Sequence, residues 1–141
     1  MKYLLLYILS SITLLAADTN LLRTKIVETI MNEVSINANM LIWSDNTTLQ
    51  TNLKINNKLN VVNDCQSASI LIIETNNLPK ECKDKHIFAL NYKLLVEVDN
   101  SFGALFWKKG RPNIIILKPR ADKQSIEIKK GLEPYLEEKI W

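Results

Sequence analysis

Lys108, Lys109, Arg111, Lys118 and Arg120 lie in the stretch SFGALFWKKGRPNIIILKPR, from Ser101 to Arg120, which contains no acidic residue. Unopposed cations at this density create a positive field that would attract an oxyanion, a nucleotide phosphate or a lipid headgroup. Phe102, Phe106 and Trp107 precede them. Adjacent Phe106 and Trp107 point to opposite faces of a regular strand, so one packs inward and the other is expected at the surface. An exposed aromatic beside Lys and Arg suits a protein contact. The plainer alternative is that Lys108, Lys109 and Arg111 only solvate a hairpin tip. Trp107, Lys108, Lys109 and Arg111 are the first candidate binding residues.

Cys65 and Cys82 are the only cysteines. ASILIIE after the first and HIFALNY after the second read as short buried strands. If those strands are parallel neighbours, both thiols lie at one edge of the sheet, within the Cα separation of about 4.4 to 6.8 Å that a disulfide requires. The expected pairing is Cys65 with Cys82. Two free thiols are the alternative, and the wide spacing is unlike the Cys-x-x-Cys of redox sites. His86 adds a third conceivable metal ligand, but no carboxylate cluster accompanies it and a disulfide would remove two of the three. No metal and no cofactor are expected.

Enzymatic chemistry finds little else to use. His86 is the only histidine and falls at a strand start, where a satisfied structural role outweighs that of a base. Three glycines in the chain cannot build a Walker loop or a dinucleotide fingerprint, and there is no G-x-S-x-G elbow. Glu137 and Glu138 read as a solvated pair. A thiol- or carboxylate-based enzyme stays open as the alternative to a non-enzymatic domain.

The elements that must position these residues follow from hydrophobic periodicity. Leu22, Ile26, Val27, Ile30, Met31 and Val34 form one stripe of an amphipathic helix. ANMLIWSD is a short strand. Between Thr47 and Val62, Leu49 and Leu53 permit a helix followed by a strand from Leu59 to Val62, while Asn56 and Asn57 permit a hairpin turn. The helix is the favoured reading. SILIIE and IFALNY are apolar without alternation, as in parallel strands covered on both faces. YKLLVEV is a short helix or link. GALFW and NIIIL then flank KKGRP as an antiparallel hairpin, with Gly110 at positive φ and Pro112 at a strand start or edge. LEPYLEEKIW places Leu132, Tyr135, Leu136 and Ile140 on one face of a closing helix, with Pro134 in its first turn. The expected fold is a small single-domain α/β sheet, mainly parallel and flanked by helices, with a C-terminal antiparallel hairpin and closing helix.

Open α/β sheets bind ligands beyond the carboxyl ends of their strands, near a switch in strand order. Those ends carry Asp45 and Asn46, then Glu74, then Asn91 and Tyr92. They form the second group of candidate binding residues.

The first residues, MKYLLLYILSSITLLAADTN, have the order of a secretory signal peptide: Lys2, an apolar run from Tyr3 to Leu15, then Ala16 and Ala17. The run is shorter than the roughly 20 residues of a permanent span. Residues 1–17 are expected to be removed, leaving one domain over 18–141 with no integral span, and an uncleaved anchor is the alternative. Export, most readily to the periplasm, places the cysteines where disulfides persist. A net charge of +3 is too mild for a nucleic-acid-binding protein. A hydrophobic fraction of 47% suffices for a core without a metal.

From Cys65 onward the order is an apolar strand, a second strand, then GALFWKKGRPNIIILKPRADKQSIEI and a closing amphipathic helix. This order resembles the carboxyl-terminal part of the small exported YfiR-like domains, in which a glycine-turn hairpin precedes the last helix. It covers about half of the chain. The resemblance implies a periplasmic regulator of a membrane-bound signalling enzyme and assigns no residue a role. The expected partner is a membrane-associated or envelope protein, or a small anionic ligand. A structural component of an envelope assembly is the remaining alternative.

Overall fold

In the computed structural model, which describes residues 19–140, seven strands form one sheet in the order Asn60–Val61, Leu41–Ser44, Ile70–Ile73, His86–Ala89, Ser101–Lys108, Arg111–Leu117, Leu136–Glu137. Residues 1–18, with the expected leader and its expected cleavage point, and also Trp141 lie outside the described residues. The first elements are α1 (19–32), β1 (Val34–Ser35), β2 (Leu41–Ser44), α2 (Thr47–Asn56) and β3 (Asn60–Val61). Asn46 settles the choice between helix and hairpin here: its Oδ1 accepts from the Leu49 amide at 2.9 Å, and Asn57 closes α2 in the left-handed region, φ 52°. These are the preferred chemistries of an N-cap and a C-terminal stop.

β4 (Ile70–Ile73) and β5 (His86–Ala89) follow, then α3 (Tyr92–Glu97) and β6 (Ser101–Lys108). The five strands β3, β2, β4, β5 and β6 are mutually parallel. Ile70 and Ile72 pack in one core cluster and Leu71 and Ile73 in the other, so the unbroken apolar run reflects burial on both faces. One face is covered by α1 and α2, through Val27, Ile30, Met31, Leu49 and Leu53. The other carries α3, through Leu94 and Leu95, together with both cysteines. The expected stripe of α1 needs one amendment. Leu22 is exposed, while Thr24 and Glu28 are buried; Thr24 Oγ1 accepts from Asn52 Nδ2 at 3.4 Å and Glu28 Oε1 from Asn56 Nδ2 at 3.0 Å. Packing against the polar side of α2 turned the helix toward these residues.

β6 and β7 (Arg111–Leu117) form the expected antiparallel hairpin, with Lys108 opposite Arg111 and Trp107 opposite Pro112. Its two-residue turn holds Lys109 at φ 53° and Gly110 at φ 75°, the paired positive angles that match strand twist. Gly103 has a separate reason: a Cβ there would stand 2.7 Å from the Ile115 carbonyl oxygen and 2.8 Å from Ile116 Cδ1. Beyond the hairpin come α4 (Lys118–Lys123) and β8 (Glu127–Ile128), which pairs antiparallel with β1.

The last segment departs from its expected helix. Lys130–Tyr135 is a 3₁₀ turn, and Leu136–Glu137 form β9, parallel to Ile116–Leu117 of β7. Pro134 has no N–H for an α-helical bond and disfavours helical geometry at Glu133. The outer edge of β7 meanwhile offers unpaired backbone groups. The helix after the hairpin is therefore α4, and the apolar positions of LEPYLEEKIW divide between a turn and a sheet edge.

Candidate functional site

Tyr92, from the switch-point group, and Trp107 and Lys108, from the hairpin group, line one groove of about 520 Å³. Leu95, Phe106, Asn113, Ile115, Leu117, Lys139 and Ile140 complete it. The local sequence explains its position. Asn91 caps α3 by accepting from the Leu94 amide at 2.8 Å, which sets Tyr92 as the first helical residue against the sheet. The Tyr92 ring meets Phe106 edge to face, centroids 5.5 Å apart and planes at 62°. Because α3 is short, Phe106 and Ile115 remain half-buried.

The paired aromatics differ from expectation in one respect. Phe106 and Trp107 do point to opposite faces, packing with different core clusters, but neither is fully exposed. Trp107 lies opposite Pro112 and packs on the α1–α2 side with Ile114.

The five cations have different fates. Lys118 Nζ bonds Asp122 Oδ2 at 2.9 Å, and that hydrogen bond holds its ammonium above the ordinary lysine value. Arg120 is structural: Nη1 donates to the carbonyls of Leu95 (2.6 Å), Val98 (3.1 Å) and Ser101 (3.0 Å) and to Ser101 Oγ (3.0 Å). Burial draws this guanidinium below its ordinary pKa, with Asp99 opposing. It satisfies carbonyls left over at the end of α3, where a cation also suits the helix dipole. Lys108, Lys109 and Arg111 are exposed and form no ion pair among the described residues. The positive field therefore narrows to the tip, and only Lys108 of these three lines the groove.

The other switch-point candidates bind one another. The strand order does reverse between β2 and β4. Asp45 accepts from the Glu74 amide at 2.7 Å and from the Thr75 amide and hydroxyl at 3.0 Å each. Asn46 Nδ2 donates to Glu74 Oε2 at 2.6 Å, Asn91 Nδ2 donates to the Glu74 carbonyl at 2.9 Å, and Arg23 approaches Glu74 at 3.8 Å. Asp45, Asn46, Glu74 and Asn91 thus tie loop to loop and cap helices; Tyr92 is the member of that group that reaches the groove.

A second cleft, of about 460 Å³, opens at the amino ends of the strands and includes Glu81, Asp84, Lys85, His86 and Gln124. Gln124 Nε2 donates to the carbonyls of Asn100 (3.1 Å) and Arg120 (3.2 Å), so its Oε1 accepts from His86 Nδ1 at 2.9 Å. Lys85 Nζ donates to the carbonyls of Gln66 and Ala68, each at 2.6 Å. Cys65 and Cys82 form the expected disulfide, Cα–Cα 5.9 Å, which ties the approaches to β4 and β5 and leaves neither sulfur as a thiol. Among the described residues no group of three or more His, Cys, Asp or Glu is placed to hold a metal, and no helix is long and apolar enough to cross a membrane.

Sequence reasoning missed Leu95, Phe106, Asn113, Ile115, Leu117, Lys139 and Ile140 as groove residues. A signal for Ile115 was present, because alternation in NIIIL puts Asn113, Ile115 and Leu117 on one face. Lys139 and Ile140 had none, since their place depends on β9. No family model matches the chain, and neither the curated proteins nor the solved structures contain a match.

Proposed function

We propose that this chain is an exported, non-enzymatic binding domain whose site is the groove between α3, the β6–β7 hairpin and the segment after β9. The convergence of Tyr92, Phe106 and Lys108 on one apolar groove with a basic rim carries the reading. Sites for small molecules are concave, mainly apolar and furnished with few polar groups. Export is supported by the leader-like residues 1–17 and by the disulfide, and the periplasm is the compartment that fits both. The disulfide-bonded sulfurs and the Gln124-bound imidazole weigh against thiol or histidine catalysis. The resemblance to YfiR-like domains favours a membrane-associated partner, with the groove reporting ligand occupancy to it.

Native mass spectrometry of the exported protein, isolated without denaturation, tests this reading. A retained species that is lost in the Lys108→Ala/Lys109→Ala/Arg111→Ala variant is the expected result. Retention unchanged in a correctly folded triple variant would remove the hairpin from the site.

A further inference from the structure

The walls of the groove define a class of ligand. Phe106 and Ile115 supply apolar surface that α3 leaves partly open, over a floor formed by buried Leu95 and Leu117. Asn113 Nδ2 gives one of its two N–H groups to the Arg111 carbonyl at 3.0 Å, and the capped start of α3 has its Leu94 amide held by Asn91. No arginine lines the groove. A phosphoryl group, which is held best by several convergent donors or an arginine fork, is therefore less well matched here than a single carboxylate. Lys108 supplies a cation at the rim without a counter-ion among the described residues, and Lys139 adds a second basic side chain.

We propose, resting on the binding reading above, that the groove selects a free amphiphilic carboxylate: an apolar chain laid over Phe106 and Ile115, with its single anionic end at Lys108. Apolar burial supplies affinity, and the ammonium discriminates the charged molecule from its neutral analogue.

Octanoate and 1-octanol, each titrated into the natively exported protein and followed by NMR, make the test. Octanoate is expected to shift signals of Tyr92, Phe106 and Lys108 and to bind about tenfold more tightly than 1-octanol, equivalent to about 1.4 kcal/mol. Lys108→Met, a change at an exposed position, should abolish that preference while retaining the fold. Equal binding of the two probes, shifts confined to other surfaces, or an unchanged preference in Lys108→Met would each overturn the proposal. If native mass spectrometry finds a retained species lost with the basic tip but octanoate shows no preference, the ligand class fails and the binding domain stands. Failure of both removes both.

Discussion

Tyr92 and Phe106 stand edge to face with centroids 5.5 Å apart, joining the first residue of α3 to the hairpin across the groove. Such a pair contributes about 0.5 to 1.5 kcal/mol beyond its buried area. A double-mutant cycle with Tyr92→Leu and Phe106→Leu, read by urea denaturation, should give a coupling of about 1 kcal/mol. Both single variants should also weaken whatever the groove retains. A coupling near zero would mean that the two rings are independent.

Arg120 should behave as a structural residue. Arg120→Met leaves the carbonyls of Leu95, Val98 and Ser101 without their shared donor and is expected to cost about 2 kcal/mol in denaturant unfolding. Amide exchange should rise at α3 and at the start of β6. Ligand retention at concentrations where the variant is folded should match the parent, in contrast to the basic-tip variant.

The Cys65–Cys82 bridge closes a sequence separation of 17 residues, for which chain-entropy arguments give about 3 kcal/mol. Cys65→Ala/Cys82→Ala should lose stability by about that amount and keep the strand order. Alkylation of the denatured, unreduced protein should label neither cysteine, since both sulfurs are bonded.

Asp64 gives a local acid transition. The Ser67 amide donates to its carboxylate at 2.8 Å, and this bond, followed by that of the Ser67 hydroxyl, holds its pKa below the ordinary carboxylate value. The folded pKa is depressed, so the associated stability is present above the unfolded carboxylate pKa. It is lost as pH falls through the folded value. The Ser67 amide resonance should report this transition below the usual carboxylate range, and Asp64→Asn should abolish it.

Where burial alone governed the local choice, the chain was readable. The apolar runs at Ile70–Ile73 and His86–Ala89 announced parallel strands, and KKGRP announced the hairpin. The helical stripe in LEPYLEEKIW was misleading because the open edge of β7 recruited Leu136 and Glu137, a tertiary demand with no local sign. The β1–β8 pair is as short and as non-local. The candidate site was half visible for the same reason. Its residue types stood out, whereas the capture of Arg120 by the end of α3 and the meeting of Tyr92 with Phe106 required elements distant in sequence to pack together.

The two-residue turn at Lys109–Gly110 also bears on the order of folding. It joins strands that pair with their immediate neighbour in the chain, whereas each parallel pair must wait for a crossover connection. Hairpins close in about 1 to 10 μs, and non-local pairings arrive later because loop closure opposes them. The hairpin carrying Trp107 and Lys108 is thus expected to form early, and the groove is complete only when α3 docks Tyr92 onto it.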